Sequence, residues 1–409
     1  MSIIKVGLGH STDVQQAIEQ AMKTTSKPDL IICFASFSLN LNQVYHQIRR
    51  VVGEDVPIIG GSSAGEFSSL MDSPVTDSIA IMTLQSAYFS VGVGIGTNLH
   101  ASPKQAASRA IGSAYANLEP NPMVMSLVFN AMDGKDASDI SRIKPCINMV
   151  LPDGTSRQEE AFLRQLILET GSVSQIVGGS TANDFSSQYS YQICNGVYQD
   201  SAVVASFSSG LKMGTSMGHP YLPSTKGAVV TKSQGRVVYT LNGKPAVEIL
   251  QNLMESDELT PELFVQHPFG IKSSDVFGEY TIKSAQAVNE DGSVSFYAEI
   301  PQGAFLRSMK TDQDTAKRLF RETLIKAIED AGNPKKIAAV IVFNCILRHL
   351  LKCHLGVNDL ILLREVCGEK VPLIGFNTFG EQGATMGGSI GHYNQTATVM
   401  VLAAETISQ

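Results

Sequence analysis

The chain has 409 residues, of which 43% are hydrophobic and 17% are charged. A chain of this length and composition is expected to form a globular protein of about two or three domains. Its formal net charge is −7, from 31 basic and 38 acidic residues. Because no basic block is present to attract phosphates, binding to nucleic acid is not expected.

Signals for membrane insertion, secretion and disulfide pairing are missing from the sequence. The strongest apolar run, residues 337–347, is interrupted by Asn344 and is too short to span a bilayer. The first residues lack the long apolar stretch of a signal peptide. The 6 cysteines show no paired spacing, which favours reduced thiols over a zinc ribbon. We therefore predict a cytoplasmic protein that does not associate with membranes.

The first half of the chain predicts buried strands that alternate with glycine-rich segments. Near-continuous apolar runs suit strands covered on both faces. Such runs predict strands at 30–36, 78–84, 124–130 and 201–207, and glycine-rich strands at 89–96 and 211–218. A polar insert covers about 133–155, and an amphipathic helix covers 157–170. The similar order of these elements indicates an internal duplication over roughly residues 1–220.

The composition changes at residues 219–227, which are typical of a linker or a domain edge. The elements predicted after this linker are hairpins at 235–244 and 288–294, an amphipathic helix at 315–331, and strands at 338–344 and 397–402. The fold class that follows is α/β, with two mixed modules built from repeated strand–helix–glycine turn–strand units. We place the modules at residues 1–225 and 226–409.

One short phrase occurs three times, at residues 59–66, 177–184 and 374–381. In each copy a glycine follows an aliphatic residue, and a hydroxyl lies three positions later. A residue that readily enters the left-handed region and then an acid complete the phrase. The hydroxyls are Ser63, Thr181 and Thr378, the turn residues are Gly65, Asn183 and Gly380, and the acids are Glu66, Asp184 and Glu381. Each copy is thus predicted to make the same turn and to present a hydroxyl and a carboxylate.

The C-terminal copy has the richest set of candidate ligand-binding side chains. Cys345 and Arg348 follow a predicted strand directly, and strand ends are where α/β folds usually hold ligands. Arg348 can bind a carboxylate through two parallel hydrogen bonds. Glu381 and Asn394 are candidates for the amine or hydroxyl side of a small molecule. An internal ion pair between Arg348 and Glu381 is the alternative.

Enzymatic interpretations rest on weaker patterns. Residues 61–65 satisfy G-x-S-x-G, which is typical of a serine nucleophile, but no long helix is predicted after Ser63. Cys345 is a second candidate nucleophile, with His349 or His354 as the base. The glycines at 92, 94 and 96 do not match a dinucleotide-binding turn and instead indicate a strand with close backbone packing.

The combination of these motifs resembles the FIST sensory family, with its N-terminal and C-terminal modules. The resemblance rests on residues 59–66, 343–348, 373–381 and 394–396, and it covers nearly the whole chain. It implies a non-enzymatic sensor that binds a small molecule and regulates a separate effector, such as a histidine kinase or a diguanylate cyclase or phosphodiesterase. The motifs run from near residue 30 to near residue 400, a stand-alone architecture similar to the haem-binding, nitric-oxide-sensing NosP group.

Three functional hypotheses therefore stand at this point. The first is a haem-dependent nitric oxide sensor, with His267 as the axial ligand. The second is a sensor of an amino-acid-like metabolite bound near Arg348 and Glu381, with the residues Cys345, Thr378, Asn394, Ser63 and Glu66 as further ligand-binding candidates. The third is a hydrolase that uses Ser63 or Cys345. The oligomeric state stays open, a homodimer included.

Overall fold

The structure is a computed structural model that describes residues 3–133, 146–171, 175–272, 279–384 and 390–408. Its helices are α1 (Val14–Met22), α2 (Leu41–Val52), α3 (Pro103–Ala116), α4 (Pro122–Met132), α5 (Glu159–Thr170), α6 (Ala246–Met254), α7 (Pro261–Gln266), α8 (Gln313–Asp330), α9 (Ile346–Leu355) and α10 (Asp359–Cys367). None of the helices in this part of the chain is long and apolar enough to cross a membrane.

The strands that precede a short linker at residues 219–221 form the first two repeats and begin the third with β12. They are β1 (Lys5–Ser11), β2 (Leu30–Ser36), β3 (Ile58–Ser63), β4 (Glu66–Ser68), β5 (Ile79–Gln85), β6 (Phe89–Thr97), β7 (Cys146–Pro152), β8 (Gln175–Gly179), β9 (Gln192–Cys194), β10 (Val197–Tyr198), β11 (Ser201–Ser209) and β12 (Leu211–Gly218).

The remaining strands form an additional sheet and complete the third repeat. They are β13 (Leu222–Gln234), β14 (Val237–Leu241), β15 (Lys244–Pro245), β16 (Phe269–Ile271), β17 (Thr281–Lys283), β18 (Ala285–Val288), β19 (Val294–Phe296), β20 (Phe305–Lys310), β21 (Ile337–Cys345), β22 (Leu373–Thr378), β23 (Glu381–Gly383), β24 (Gly391–Tyr393) and β25 (Ala397–Thr406).

Three repeats of one α/β unit make up the body of the protein. Each has four strands in the same order, which are β1-β5-β2-β3, β6-β11-β7-β8 and β12-β25-β21-β22. In each unit the last two strands are parallel and the other neighbours are antiparallel. The mixed α/β class and the repeated units are therefore confirmed, with the refinement that the unit occurs three times.

The three sheets turn one face toward a common hydrophobic core. Phe34 of the first repeat and Phe343 and Phe376 of the third meet there, with ring centroids 4.4 to 6.2 Å apart. Val177 of the second repeat is fully buried in the same cluster. The strands that carry these residues are covered on both faces, and this burial explains the near-continuous apolar runs of the sequence.

The repeats are joined by exchanged strands. The short strand after each glycine turn leaves its own sheet and pairs with the sheet of a neighbouring repeat. Thus β4 pairs with β22, β23 pairs with β8, and β9 pairs with β3. The exchange runs in one direction around the three units, so it closes into a ring.

An inserted sheet, β17-β16-β20-β13-β14-β19-β18, lies between β12 and α8 of the third repeat. Both predicted hairpins occur in it: β14 pairs with β15 and β18 pairs with β19. Asn242 and Gly243 form the first turn with φ of 52° and 77°, as expected for an Asn-Gly hairpin. The predicted boundary between residues 225 and 226 stays a prediction, and β13 runs through that position.

The predicted strand at 124–130 is wrong, because this segment lies in helix α4. Asn121 caps the helix by accepting hydrogen bonds from the backbone N–H groups of Met123 and Val124, and Pro122 occupies the first turn. Both features favour a helix start. The central strand of the second repeat is instead β7, whose residues fall within the segment that we interpreted as a polar insert.

The glycine-rich strand β6 packs directly on helix α3, as predicted. A Cβ atom at Gly94 would lie 2.1 Å from the carbonyl oxygen of Ala110, and one at Gly96 would lie 1.9 Å from that of Ala106. Since no side chain fits in this space, the glycines serve helix–strand packing, and a phosphate-binding role is not needed to explain them.

Gly65 and Gly380, the turn residues of the first and third copies, have φ of 108° and 111°. We expect Gly380→Ala to lower the free energy of unfolding by about 2 kcal/mol or more, because this backbone region is strained for other residues. A Cβ atom there would also lie 2.3 Å from Cε1 of His392.

Denaturant unfolding measures this effect, and Gly112→Ala in helix α3 is the matched control. Its added methyl group meets nothing within 4 Å, so this change is expected to be neutral or to stabilise by about 0.5–1 kcal/mol. Equal unfolding midpoints for the two variants would contradict the role of the turn.

Candidate functional site

The three repeated phrases lie next to one another at the centre of the protein. Backbone hydrogen bonds join them in a ring. The N–H of Ala64 donates to the carbonyl of Asn377 at 3.1 Å, the N–H of Phe379 donates to Ser180 at 3.1 Å, and the N–H of Ala182 donates to Ser62 at 2.9 Å. The donors occupy one column of the repeated phrase and the acceptors another, so the predicted similarity of the three turns extends to their surroundings.

Glu66 is completely buried in the first turn and is surrounded by hydroxyl groups. Its carboxylate accepts hydrogen bonds from Ser63, from Ser36 at 2.7 Å and from Ser78 at 2.5 Å. Burial raises the pKa of Glu66 to about 7, although these hydrogen bonds act in the opposite direction. The predicted hydroxyl–carboxylate pair is therefore present, in a closed environment.

Glu381 repeats this arrangement in the third turn. It accepts hydrogen bonds from Thr378 and, at 2.5 Å, from the hydroxyl of Thr396. Burial raises the pKa of Glu381 to about 8. Both side chains are 0% exposed, so their hydrogen bonds to the surrounding hydroxyl groups are made inside the protein.

The second turn differs from the prediction in two ways: Asn183 does not have a positive φ, which Phe185 has instead at 65°, and Asp184 does not occupy the equivalent place. Asp184 is exposed and interacts with Ser186. The equivalent residue is Gln192, which begins β9 and pairs with Gly61, as Glu66 pairs with Phe376 and Glu381 with Gly179. Residues 185–191 lie between the repeated phrase and Gln192, so the spacing of the phrase did not reveal Gln192 as the equivalent residue.

A cavity of about 540 Å³ opens where the inserted sheet meets the repeats. Its walls come from the end of β7, the start of α9, the second and third turns and the inserted sheet. The polar lining side chains are His100, Thr155, Ser156, Arg157, Ser187, Gln188, Arg236, Gln286, Tyr297, Cys345 and Asn394. Its volume and its few convergent polar groups are typical of a small-molecule site.

Cys345 and Asn394, two of the predicted ligand-binding residues, line this cavity. Cys345 is the N-cap of α9 and is only 2% exposed. Burial raises the pKa of its thiol well above the usual range, and nearby Glu381 adds to this effect. The thiol is therefore protonated at neutral pH, which makes it a poor nucleophile. The candidate base His349 contacts Cys353 at 3.6 Å.

Arg348 lies outside the lining of this cavity. Its guanidinium is 2% exposed, pairs with Asp359, donates to Asn344 Oδ1 at 2.6 Å and stacks on Phe320 with Cζ 4.4 Å from the ring centroid. The structure thus contradicts the Arg348–Glu381 ion pair, because Arg348 pairs with Asp359 instead, whereas a ligand placed between Arg348 and Glu381 stays a prediction.

The other predicted ligand-binding residues, Ser63, Glu66, Thr378 and Glu381, are at most 2% exposed and also lie outside the lining of the cavity. Ser63 is bonded to Glu66 and is followed by β4 where a nucleophile elbow requires a helix. A role as a hydrolase nucleophile is not supported by this geometry. Any contact of these four residues with a ligand stays a prediction.

His267 is the predicted axial haem ligand. It caps the C-terminus of helix α7, is half-buried, and lines neither the cavity beside Cys345 nor the adjoining cavity of about 490 Å³. Its role as a haem ligand, which needs a slot beside it, stays a prediction. No metal-binding group of three or more His, Cys, Asp or Glu occurs among the described residues.

Sequence reasoning missed Arg157, Arg236 and Tyr297. Arg157 follows β7, so the same error that placed a strand at 124–130 concealed it. A correct assignment of β7 would have put Arg157 just past a strand end, as Cys345 lies at the end of β21. Arg236 and Tyr297 come from the inserted sheet, and the sequence holds no local signal that brings them here.

A mixed α/β protein with one large polar cavity at its strand ends belongs to the class of small-ligand-binding proteins. Comparison with known families makes this more specific: the chain belongs to the FIST family. The FIST N domain matches residues 29–244 and the FIST C domain matches residues 246–384. FIST domains are sensory domains of signalling proteins that bind small ligands.

A relative among curated proteins is an uncharacterised protein of Methanocaldococcus jannaschii. It is 32% identical over 193 residues, which cover 43% of this chain and 36% of that protein. The chain thus spans little more than a third of the length of this relative.

Similar solved structures are a cyanuric acid hydrolase from A. caulinodans and a chorismatase. The hydrolase has a TM-score of 0.41 and 10% identity, with 99% of this chain and 100% of the hydrolase covered. The chorismatase has a TM-score of 0.35 and 7% identity, with 98% of both chains covered. At these scores the likenesses carry no argument about fold or chemistry.

The buried carboxylates make a prediction about stability and pH. Folding raises the pKa of Glu381 from 4.5 to about 8, so the folded state keeps this proton when the unfolded state has lost it. The free energy of unfolding should therefore fall between about pH 4.5 and 8 and level off above, with about 1.4 kcal/mol per unit of pKa difference.

Denaturant unfolding at several pH values tests this slope. Glu381→Gln keeps the shape of the protonated acid but cannot ionise. In this variant the free energy of unfolding should therefore fall less steeply with pH, because the contribution of Glu381 is removed. Glu369→Gln changes an exposed carboxylate and should leave the slope as it is. A slope shared by all three proteins would show that Glu381 is ionised in the folded state.

Proposed function

We propose that the protein is a non-enzymatic sensor that binds a small carboxylate-bearing metabolite, of amino-acid type, in the cavity beside Cys345. The observation that carries this proposal is the convergence of polar groups from several separate chain segments on one cavity of about 540 Å³. A sensory role agrees with the family to which the chain belongs.

The charges of the lining favour a ligand with an anionic group. Arg157 lines the cavity with an exposed side chain and has no carboxylate within 4 Å among the described residues. Arg236 is paired with Glu159 and Glu160, each at 2.6 Å, but its buried Nε has no hydrogen-bond partner in the described part of the chain. A carboxylate can accept hydrogen bonds from such groups.

The neutral lining groups favour a ligand with further polar atoms. Tyr297, Asn394 and Gln286 can donate or accept hydrogen bonds on the wall formed with the inserted sheet. Burial raises the pKa of Tyr297, so its hydroxyl stays protonated and can donate. An amine or hydroxyl beside the carboxylate would find its partners here.

The signal would pass to a separate effector, for which a histidine kinase or a cyclic-di-GMP enzyme is the proposed class. Helix α9 is suited to transmit it, because its first turn lines the cavity and its later residues pack elsewhere in the protein. The alternative hypothesis, a haem-dependent nitric oxide sensor, ranks below the metabolite sensor, because no contact that the structure describes at His267 supports it.

Thermal unfolding with a panel of free amino acids tests the proposal. At least one should raise the melting temperature of the protein, since a ligand that binds the folded state stabilises it by mass action. Arg157→Gln should weaken the binding about tenfold or more, because hydrogen bonds to charged groups contribute about 1.5–3 kcal/mol.

Arg109→Gln is the matched control for charge, because Arg109 is exposed on helix α3, outside the cavity lining. It should bind like the unchanged protein. Tyr297→Phe removes one hydroxyl and should weaken binding without loss of the fold. If an amino acid raises the melting temperature of both Arg157→Gln and Tyr297→Phe as much as that of the unchanged protein, the ligand binds at another site.

The enzymatic alternative has a separate test. We expect that neither Ser63 nor Cys345 supports hydrolysis of p-nitrophenyl esters. The hydroxyl of Ser63 is buried and bonded to Glu66, and the thiol of Cys345 is protonated. Ester hydrolysis that disappears in Cys345→Ser would show that the cavity is an active site.

A further inference from the structure

A second cluster of charged side chains lies on another side of helix α9 and does not belong to the cavity beside Cys345. Arg348 and Lys352, one helical turn apart, both pair with Asp359 at the start of α10. The three side chains are 2%, 6% and 11% exposed. Charged groups this deeply buried are normally paired one to one, because removal of a charge from water is costly.

The charges of this cluster do not balance. It contains a guanidinium and an ammonium but one carboxylate, and no other carboxylate lies within 4 Å of either cation among the described residues. Burial lowers the pKa of the neighbouring His349 to about 4, so His349 is neutral, and the Cys353 side chain beside it is exposed. Burial also lowers the pKa of Lys352 to about 8, so its ammonium is still mostly charged at pH 7. The two cations share one carboxylate, so the cluster carries one excess positive charge.

A cavity of about 160 Å³ adjoins this cluster. Its polar lining residues are Ser73, Asn344, His349, Lys352, Cys353, Asn358 and Asp359, and the rest of its lining is apolar. Water molecules could satisfy hydrogen bonds in this space but would leave the charge uncompensated. The volume exceeds the share of about 30 Å³ that one water takes in the liquid, and it is too small for a metabolite with a large scaffold.

From this geometry we propose that the cavity between α9 and α10 binds one small oxyanion, with Lys352 as its main charged partner. Arg348 holds Asp359 and donates to Asn344 Oδ1 at 2.6 Å, so it positions the cluster. The oxyanion supplies the missing negative charge, and it is either a tetrahedral ion such as phosphate or a small carboxylate.

This site is coupled to the larger cavity through one rigid element. Ile346 and Leu347 at the start of α9 line the cavity beside Cys345, while His349 and Lys352 line the oxyanion cavity. Since the two cavities share this helix, occupation of one is expected to change affinity at the other, and the change is reciprocal. The oxyanion is thus a second input to the sensor.

Thermal unfolding at pH 7 and constant ionic strength tests the site, with sodium phosphate, sodium acetate or sodium chloride as the added salt. Phosphate or acetate at tens of millimolar should raise the melting temperature by about 2 °C or more above the chloride value. The more effective of the two identifies the class of ion. Equal melting temperatures in all three salts would overturn the proposal.

Three variants separate a binding role of Lys352 from a structural one. Lys352→Gln should remove the response to the oxyanion, and Lys352→Arg should keep it. In chloride, Lys352→Gln should unfold at the same or a higher temperature than the unchanged protein, because Asp359 keeps Arg348 as its partner. Lys335→Gln changes an exposed lysine and should respond to the oxyanion normally.

A response that survives in Lys352→Gln would overturn the assignment. So would a lower melting temperature of Lys352→Gln in chloride together with no oxyanion effect on the unchanged protein, because Lys352 would then be only a partner of Asp359. Because the cavity beside Cys345 is also proposed to bind a carboxylate, the same salts are compared in Arg157→Gln, which should keep its response to the oxyanion if that response comes from Lys352.

Discussion

The exchange of short strands among the three repeats is the constraint on which the rest of the structure depends. Each repeat leaves the edge next to β3, β8 or β22 uncovered, and unpaired strand edges are unfavourable. The neighbouring repeat supplies the missing strand in every case. As a result no repeat completes its sheet alone, and the three glycine turns are forced into contact at the centre.

This contact explains why acidic side chains are buried in two of the turns. Glu66 and Glu381 begin the exchanged strands β4 and β23, so the strand pairing fixes their position. Hydroxyl groups from the surrounding strand ends donate to each carboxylate and compensate part of the loss of hydration. Gln192 makes neutral hydrogen bonds at the same place in the second repeat, which shows that the position requires a hydrogen-bonding group and does not require a charge.

The cavity proposed for ligand binding lies where the symmetry is broken. The inserted sheet occurs in the third repeat and covers the strand ends there, and the longer second turn adds Phe185 and its neighbours. These departures from the repeat create a cavity that a symmetric arrangement would not have. Helix α9 begins at this cavity and runs past the cluster of Arg348, Lys352 and Asp359. A ligand at its first turn and an ion beside its second would therefore act on the same element, which is what a sensor with two inputs needs.

Local sequence patterns determined much of the fold. Strand β2 and the helix α5 were predicted from apolar runs and periodicity, because burial on both faces or on one face leaves a direct mark on composition. The repeated phrase predicted three similar turns, and the positive φ at Gly65 and Gly380 follows from residue type. Cys345 and Asn394 were placed correctly at the cavity, because strand ends are recognisable in a sequence.

Tertiary structure alone decided the partners of these residues. The apolar segment at 124–130 has the composition of a buried strand, but Asn121 and Pro122 start a helix there and β7 takes the central position. Arg348 has the sequence position of a ligand-binding residue, yet Asp359, which belongs to the following helix, neutralises it. Gln192 replaces Asp184 because strand pairing, which acts between segments far apart in the chain, sets the register. Composition and periodicity report how each segment is buried, whereas the identity of its neighbours depends on the whole chain.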